Sequence, residues 1–220
     1  MKNHYKKFPL VFLIFGIFLI VLISGISIKK YIKTKEADNS KQVLMKKSAD
    51  STKENEKLFF NKQEAVPEKA SIKVYKKRRV LELYSSDKLV GRFKIGLGRS
   101  PEGYKEKEGD NKTPEGSYYI CYRNGNTKYT YFIGISYPNI EDAKRGLQQG
   151  LINEATYKRI ERAVNDKRQP PWNTPLGGEV GLHGGGNKYD WSYGCIALTD
   201  EDINILKQYA PNGTTIEIYK

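Results

Sequence analysis

A mainly β domain with a helical insertion and a late helix is the fold class predicted for residues 71–220, and three observations predict it. Short runs of alternating apolar and polar residues recur along this stretch, separated by turn-forming residues. Helical periodicity is confined to two segments, one before "PPWNTPLGG" and one after "CIAL". The stretch is also long enough to bury a single core, and too short for two large domains.

The elements follow in order. In "SIKVYKKRRVLELYSSDKLVGRFKIGLG" the apolar residues Ile72 and Val74, Leu81 and Leu83, and Phe93, Ile95 and Leu97 alternate with polar ones, and "SSDK" parts two of the runs. Two or three antiparallel strands joined by short turns are expected. "GSYYICYRN" (116–124) and "TKYTYFIGISY" (127–137) read as further strands separated by a turn near Gly125, and "TTIEIY" as a last strand. The insertion "NIEDAKRGLQQGLINEATYKRIERAVNDKR" offers Asn139 and Asn153 as N-caps, with an apolar repeat at Tyr157, Ile160 and Val164. The late helix "TDEDINILKQYA" has Thr199 as its N-cap, Asp202 three residues on, and an apolar face of Ile203, Leu206 and Tyr209 or Ala210.

Upstream the composition changes twice. Residues 8–28 run without a charge, and as a helix these 21 residues would span about 31 Å, close to the hydrocarbon thickness of a bilayer. This is longer than a signal-peptide core. Gly25-Ile26-Ser27 is a weak cleavage site, so the span reads as an uncleaved anchor with residues 1–7 before it. Lysines flank both ends, Lys2, Lys6 and Lys7 against Lys29, Lys30, Lys33 and Lys35, so charge alone does not orient it. Residues 29–70 are polar and read as a tether, in which "KLFF" is the one stretch suited to a local contact.

The formal charge is +13, and residues 1–70 carry 14 Lys/Arg against 7 Asp/Glu, so just over half of the excess lies outside the folded part. No nucleic-acid motif accompanies it, and nucleic acid is not expected as a partner. Two cysteines rule out a disulfide-rich scaffold.

Chemistry concentrates in "HGGGNKYDWSYGCIALTD" (183–200). Cys195 is a candidate nucleophile, and His183 is the one histidine downstream of the anchor. A cysteine nucleophile needs a base and donors aimed at the oxyanion it creates. Gly194 lets a substrate carbonyl approach closely, and the N–H groups of Tyr193, Gly194 and Cys195 are candidate donors. Spacing alone leaves the plainer reading open: a glycine-rich turn with a buried thiol and a structural histidine. Zinc would need more Cys and His than the domain holds, and no P-loop or dinucleotide pattern surrounds "HGGG". No metal or organic cofactor is expected. Cys121, in the strand-like "YYICYR", reads as a core residue, with a Cys121–Cys195 bridge as the alternative.

The segment resembles the active-site signature of the L,D-transpeptidases, the YkuD-type catalytic domain of bacterial cell-wall enzymes. That signature is His-Gly, a spacer, then Ser/Thr-His-Gly-Cys, an apolar residue and Arg. His183-Gly184 matches the first part, and Ser192, Gly194, Cys195 and Ile196 match the second. "GDNKTPEGSYYI" (109–120), "PPWNTPLGGEVGLHG" (170–184) and "IKVYKKRRVLELY" (72–84) resemble further family segments, so the likeness covers residues 71–220. The departures are Tyr193 for the histidine, Ala197 for the arginine, and a short spacer, which together resemble a divergent branch.

The resemblance implies a sandwich of two mixed sheets with the cysteine at a cleft edge. It implies Cys195 as nucleophile and His183 as base, with Ser192, Tyr193, Gly194, Gly184 and Trp191 around the substrate. It also implies peptidoglycan stem peptides as substrate, and hence a domain outside the membrane on an anchor at residues 8–28. The activity implied is transpeptidation through a thioester. The alternatives are a carboxypeptidase or endopeptidase using water, or an inactive wall-binding protein.

Overall fold

The computed structural model describes residues 57–220. The anchor expected at residues 8–28, and most of the tether, lie outside the described residues. Among the described residues no helix is long and apolar enough to cross a membrane.

Among the described residues nine strands and three helices follow one another: β1 (Phe59–Phe60), β2 (Ala70–Tyr75), β3 (Val80–Ser85), β4 (Lys88–Lys94), β5 (Gly116–Asn124), β6 (Phe132–Ile135), α1 (Ile140–Gln148), α2 (Glu154–Asn165), β7 (Gly181–His183), β8 (Ile196–Ala197), α3 (Asp200–Tyr209) and β9 (Thr215–Tyr219). β2, β3 and β4 form the expected antiparallel run, with Ser86 at the "SSDK" turn at a φ of 54°. The last strand, β9, inserts beside the first long one, pairing parallel to β2 (Ile72 opposite Ile216) and antiparallel to β5 (Tyr118 opposite Ile216).

The expected sandwich of two separate sheets is corrected to one curled nine-stranded sheet, in the order β1-β4-β3-β2-β9-β5-β6-β7-β8. The reason is β5. Its first half pairs with β9 and its second with β6, and a register shift between Ile120 and Tyr122 bends it between the two. The chain after β4 then returns to the far end of the sheet: Gly96 and Ala197 exchange backbone hydrogen bonds of 2.8 and 2.9 Å, and Gly98 bridges Ser192.

The alternation read from sequence places Ile72, Val74, Leu81, Leu83, Ile216 and Ile218 on one face, all buried. α3 packs Ile203, Leu206, Tyr209 and Ala210 against them in one core. Burial of each large aliphatic side chain contributes roughly 1.5–3 kcal/mol. Thr199 caps α3 by accepting from the Asp202 N–H, as expected. Asn139 and Asn153 cap α1 and α2, and Asn139 forms a full capping box with Asp142. The insertion has its own small core of Ala143, Ile152, Ile160 and Leu176, with Tyr157 and Val164 packed at its margin.

Two expectations change in detail. The tether's end is part of the sheet: Phe59 pairs with Arg92, and the Phe60 ring lies 5.2 Å from that of Tyr209. The strand expected over 127–137 shrinks to Phe132–Ile135, because Tyr129 leaves the ladder. Its carbonyl accepts from Gly184 N–H instead, at 3.0 Å.

Candidate active site

β7 and β8 run parallel, with Leu182 opposite Ile196 and His183 opposite Ala197. Continuing that register one step puts Cys195 beside Gly181. Side chains alternate faces, so Cys195, immediately before β8, falls on the same face as His183 of β7. Both line one cleft of about 570 Å³.

The imidazole is fixed on three sides. Its Nδ1 lies 2.6 Å from the Gly184 carbonyl oxygen. A carbonyl only accepts, so Nδ1 carries the proton and Nε2 is the basic nitrogen. The Tyr129 ring lies 4.6 Å away, and Trp191 meets the imidazole edge-on at 5.3 Å. Trp191 is held in turn by its indole N–H donating to Gly186 O at 3.0 Å. Burial lowers the His183 pKa below 6.5, opposed in part by the Gly184 hydrogen bond. The ring is therefore neutral at pH 7.

Cys195 is half-buried, and its thiol donates to the Glu179 carbonyl at 3.5 Å. The protein packed around it pushes its pKa up to about 11, opposed by a backbone hydrogen bond from Gly181 and by the Lys105 charge. The resting pair is thus thiol and neutral imidazole, suited to proton transfer during attack. It is not a preformed thiolate–imidazolium pair.

Backbone contacts set the approach to Cys195. A Cβ on Gly194, whose φ is 136°, would stand 2.7 Å from the Lys112 carbonyl oxygen. One on Gly98 would collide with the Asn111 carbonyl and press on the Gly194 Cα. Ser192 is buried: its hydroxyl donates to Cys195 O at 2.7 Å and accepts from Gly194 N–H at 3.1 Å. That engagement corrects one expectation, since the Gly194 N–H is committed to Ser192. Tyr193 and Cys195 are left of the three oxyanion donors read from the sequence.

Of the other expected residues, Trp191, Ser192 and Tyr193 line the cleft, whereas Gly184 and Gly194 do not. Gly184 packs under Tyr129 and Asp200 instead. The Tyr193 ring is 70% exposed at the rim with the Arg99 guanidinium 4.6 Å from its centroid. Ala197 is fully buried. Cys121 is half-buried on β5, and burial pushes its thiol up to about 12. Both thiols are free, so the Cys121–Cys195 bridge is not formed.

Sequence reasoning missed several participants. Asp200 ties the glycine turn to α3, accepting from Gly185 N–H at 2.9 Å and Thr130 Oγ1 at 2.5 Å. The Thr130 and Gly185 hydrogen bonds lower its pKa. Lys105, buried in the cleft wall, pairs with Asp110 at 2.6 Å. Asp110 also accepts from the N–H groups of Glu106, Lys107 and Lys112, which shapes the loop beneath Gly194. Trp172 forms the opposite wall, edge-on to Tyr122 at 5.4 Å. The "GDNKT" and "PPWNT" segments were the available signals. Among the described residues no cluster of His, Cys, Asp and Glu is arranged to hold a metal.

A mainly β, curled catalytic domain with a cysteine and a histidine in one cleft is the class that fold and site define. The family model of the YkuD L,D-transpeptidase catalytic domain matches residues 69–218, and the chain belongs to that family. Curated proteins provide no match. Among solved structures, the helical cell shape determining protein Pgp2 from Campylobacter jejuni is 21% identical (TM-score 0.47), over 69% of this chain and 47% of that one. Bd1075 from Bdellovibrio bacteriovorus is 20% identical (TM-score 0.45), over 74% and 54%. An L,D-transpeptidase from Stackebrandtia nassauensis is 15% identical (TM-score 0.41), over 72% and 59%. This chain thus spans about half of the length of the structures it matches.

Proposed function

We propose that this protein is a cysteine-dependent L,D-transpeptidase acting on peptidoglycan stem peptides, with Cys195 as nucleophile and His183 as base. One observation carries the reading: His183, at the end of β7, and Cys195, immediately before β8, line one cleft, and the Gly184 carbonyl fixes the imidazole with Nε2 basic. In the reaction Nε2 takes the thiol proton as sulfur attacks the carbonyl after an L-centre. The N–H groups of Tyr193 and Cys195 steady the oxyanion. His183 then protonates the departing D-residue, and a thioester remains on Cys195. An amine resolves it to a cross-link; water would make the same chemistry a carboxypeptidase or endopeptidase. The chemistry calls for no metal or organic cofactor. We further propose that residues 8–28 anchor the chain, with the domain on the outer side, where its substrate lies.

The test is intact mass spectrometry of the protein incubated with a stem tetrapeptide. An adduct on Cys195 lacking the terminal D-residue is expected. A Cys195→Ala protein that still turns over the peptide would refute the assignment.

A further inference from the structure

One peptide group joins His183 to a carboxylate on the helix that follows the thiol. The Nδ1–H of His183 donates to the Gly184 carbonyl at 2.6 Å. The N–H of that same peptide unit, which belongs to Gly185, donates to Asp200 Oδ1 at 2.9 Å. The rigid peptide plane is thus a bridge, with the imidazole on its oxygen and the carboxylate on its nitrogen. Asp200 is the first residue of α3, which Thr199 caps.

The same carboxylate oxygen holds a second support of the ring. Thr130 Oγ1 donates to Asp200 Oδ1 at 2.5 Å, and the ring of its neighbour Tyr129 lies 4.6 Å from the imidazole. Thr130 has a φ of 66°, a left-handed backbone that a β-branched residue keeps only where its surroundings hold it. A Cβ on Gly184 would collide with Asp200 Oδ1 and stand 2.8 Å from the Tyr129 carbonyl oxygen. Carboxylate, turn and Tyr129 are therefore in direct contact. Among the described residues Asp200 forms no ion pair, so no cation neutralises it.

We infer that Asp200 is a positioning residue for the base: its negative charge acts on His183 through the Gly184–Gly185 peptide and steadies the imidazolium formed when Nε2 takes the Cys195 proton. This deepens the proposed function and rests on the roles given there to Cys195 and His183. A carboxylate that accepts the amide N–H draws charge onto the carbonyl oxygen of the same peptide, and that oxygen becomes a better acceptor for Nδ1–H. Nδ1 keeps its proton throughout. The one proton that moves passes from sulfur to Nε2, and Asp200 stays ionised. Asp200 is exposed, so solvent screens part of its charge and the effect is modest.

Asp200→Asn separates the charge from the tether, because an amide oxygen still accepts from Gly185 N–H and from Thr130. The full-length protein, labelled with heavy nitrogen at histidine, shows two imidazoles by NMR, His4 and His183, told apart with His183→Ala. A carboxylate favours the charged ring, so His183 should take its proton at a lower pH in Asp200→Asn than in the unmodified protein. Turnover of the stem peptide should fall about tenfold, the lower end of the loss when the partner behind a metal-bound histidine is removed. Glu201→Gln removes a neighbouring charge from the same first turn of α3 and should leave the titration in place. Lys105, Glu108 and Glu179 of the cleft, and Lys128, whose ammonium lies 5.1 Å from the Tyr129 ring centre, are common to all these proteins. Thermal melts check that each variant is folded. A titration unmoved in Asp200→Asn, or moved as far by Glu201→Gln, overturns the inference. If the unmodified protein turns over no stem peptide, the proposed function falls, while the titration still decides whether Asp200 acts on His183.

Discussion

The neutral resting state of Cys195 and His183 has a measurable signature. With a thiol pKa of about 11, only roughly one molecule in ten thousand carries a thiolate at pH 7. His183, lowered below 6.5, supplies no imidazolium to raise that fraction. The perturbation is therefore pH, read by iodoacetamide alkylation of Cys195 with peptide mass mapping to separate it from Cys121. The rate should climb about tenfold per unit between pH 7 and pH 10, tracking the thiolate. Turnover of the stem peptide should behave differently, because there the base acts within the step. It needs His183 unprotonated, so its acid limb should fall below pH 6.5 as the ring gains a proton. His183→Ala should cost turnover about 10²–10⁴-fold while barely changing the alkylation slope. An alkylation rate already flat above pH 7 would show a preformed ion pair and refute the reasoning.

Two further outcomes follow from the site's supports. Ser192→Ala removes a buried hydroxyl and orphans the Gly194 N–H and the Cys195 carbonyl. It should cost about 2–4 kcal/mol, a fall in Tm of about 10 °C in a thermal melt. Asp110→Ala breaks a buried pair with Lys105 and should cost about 3 kcal/mol at pH 7. Burial alone would raise the Asp110 pKa, but Lys105 and three backbone N–H groups outweigh it and hold it below 3.8. The carboxylate thus contributes stability above pH 3.8 that is lost as pH falls through its lowered value. Denaturation midpoints of the two proteins should converge in acid.

Local patterns in the sequence carried most of the secondary structure. Asn139, Asn153 and Thr199 were readable as caps because each needs only a short side chain placed beside its own helix. The strand run 70–94 was readable because one face is buried and alternation follows. The candidate pair was also legible, since the domain holds a single histidine and Cys195 lies in a matching motif. What stayed hidden depends on distant backbone. The bend of β5, which pairs with β9 through its first half and with β6 through its second, merges two expected sheets into one, and no periodicity encodes it. Tyr129 looked like a strand residue, yet it leaves the ladder to stack on His183. Gly194 looked like an oxyanion donor, and only the three-dimensional turn reveals that Ser192 takes its N–H.

The contact of Gly98, Asn111, Lys112 and Gly194 is made by main chain alone. A Cβ on either glycine would collide with the Asn111 or Lys112 carbonyl, so the turn that carries the thiol is held by peptide groups that mutation can scarcely tune. Tyr193 and Arg99, stacked in the open above it, are under no such constraint. The protein thus separates the placing of its reactive atom from the choosing of what meets it. Its specificity is free to drift, or to be redesigned, at the rim while the sulfur stays where it is.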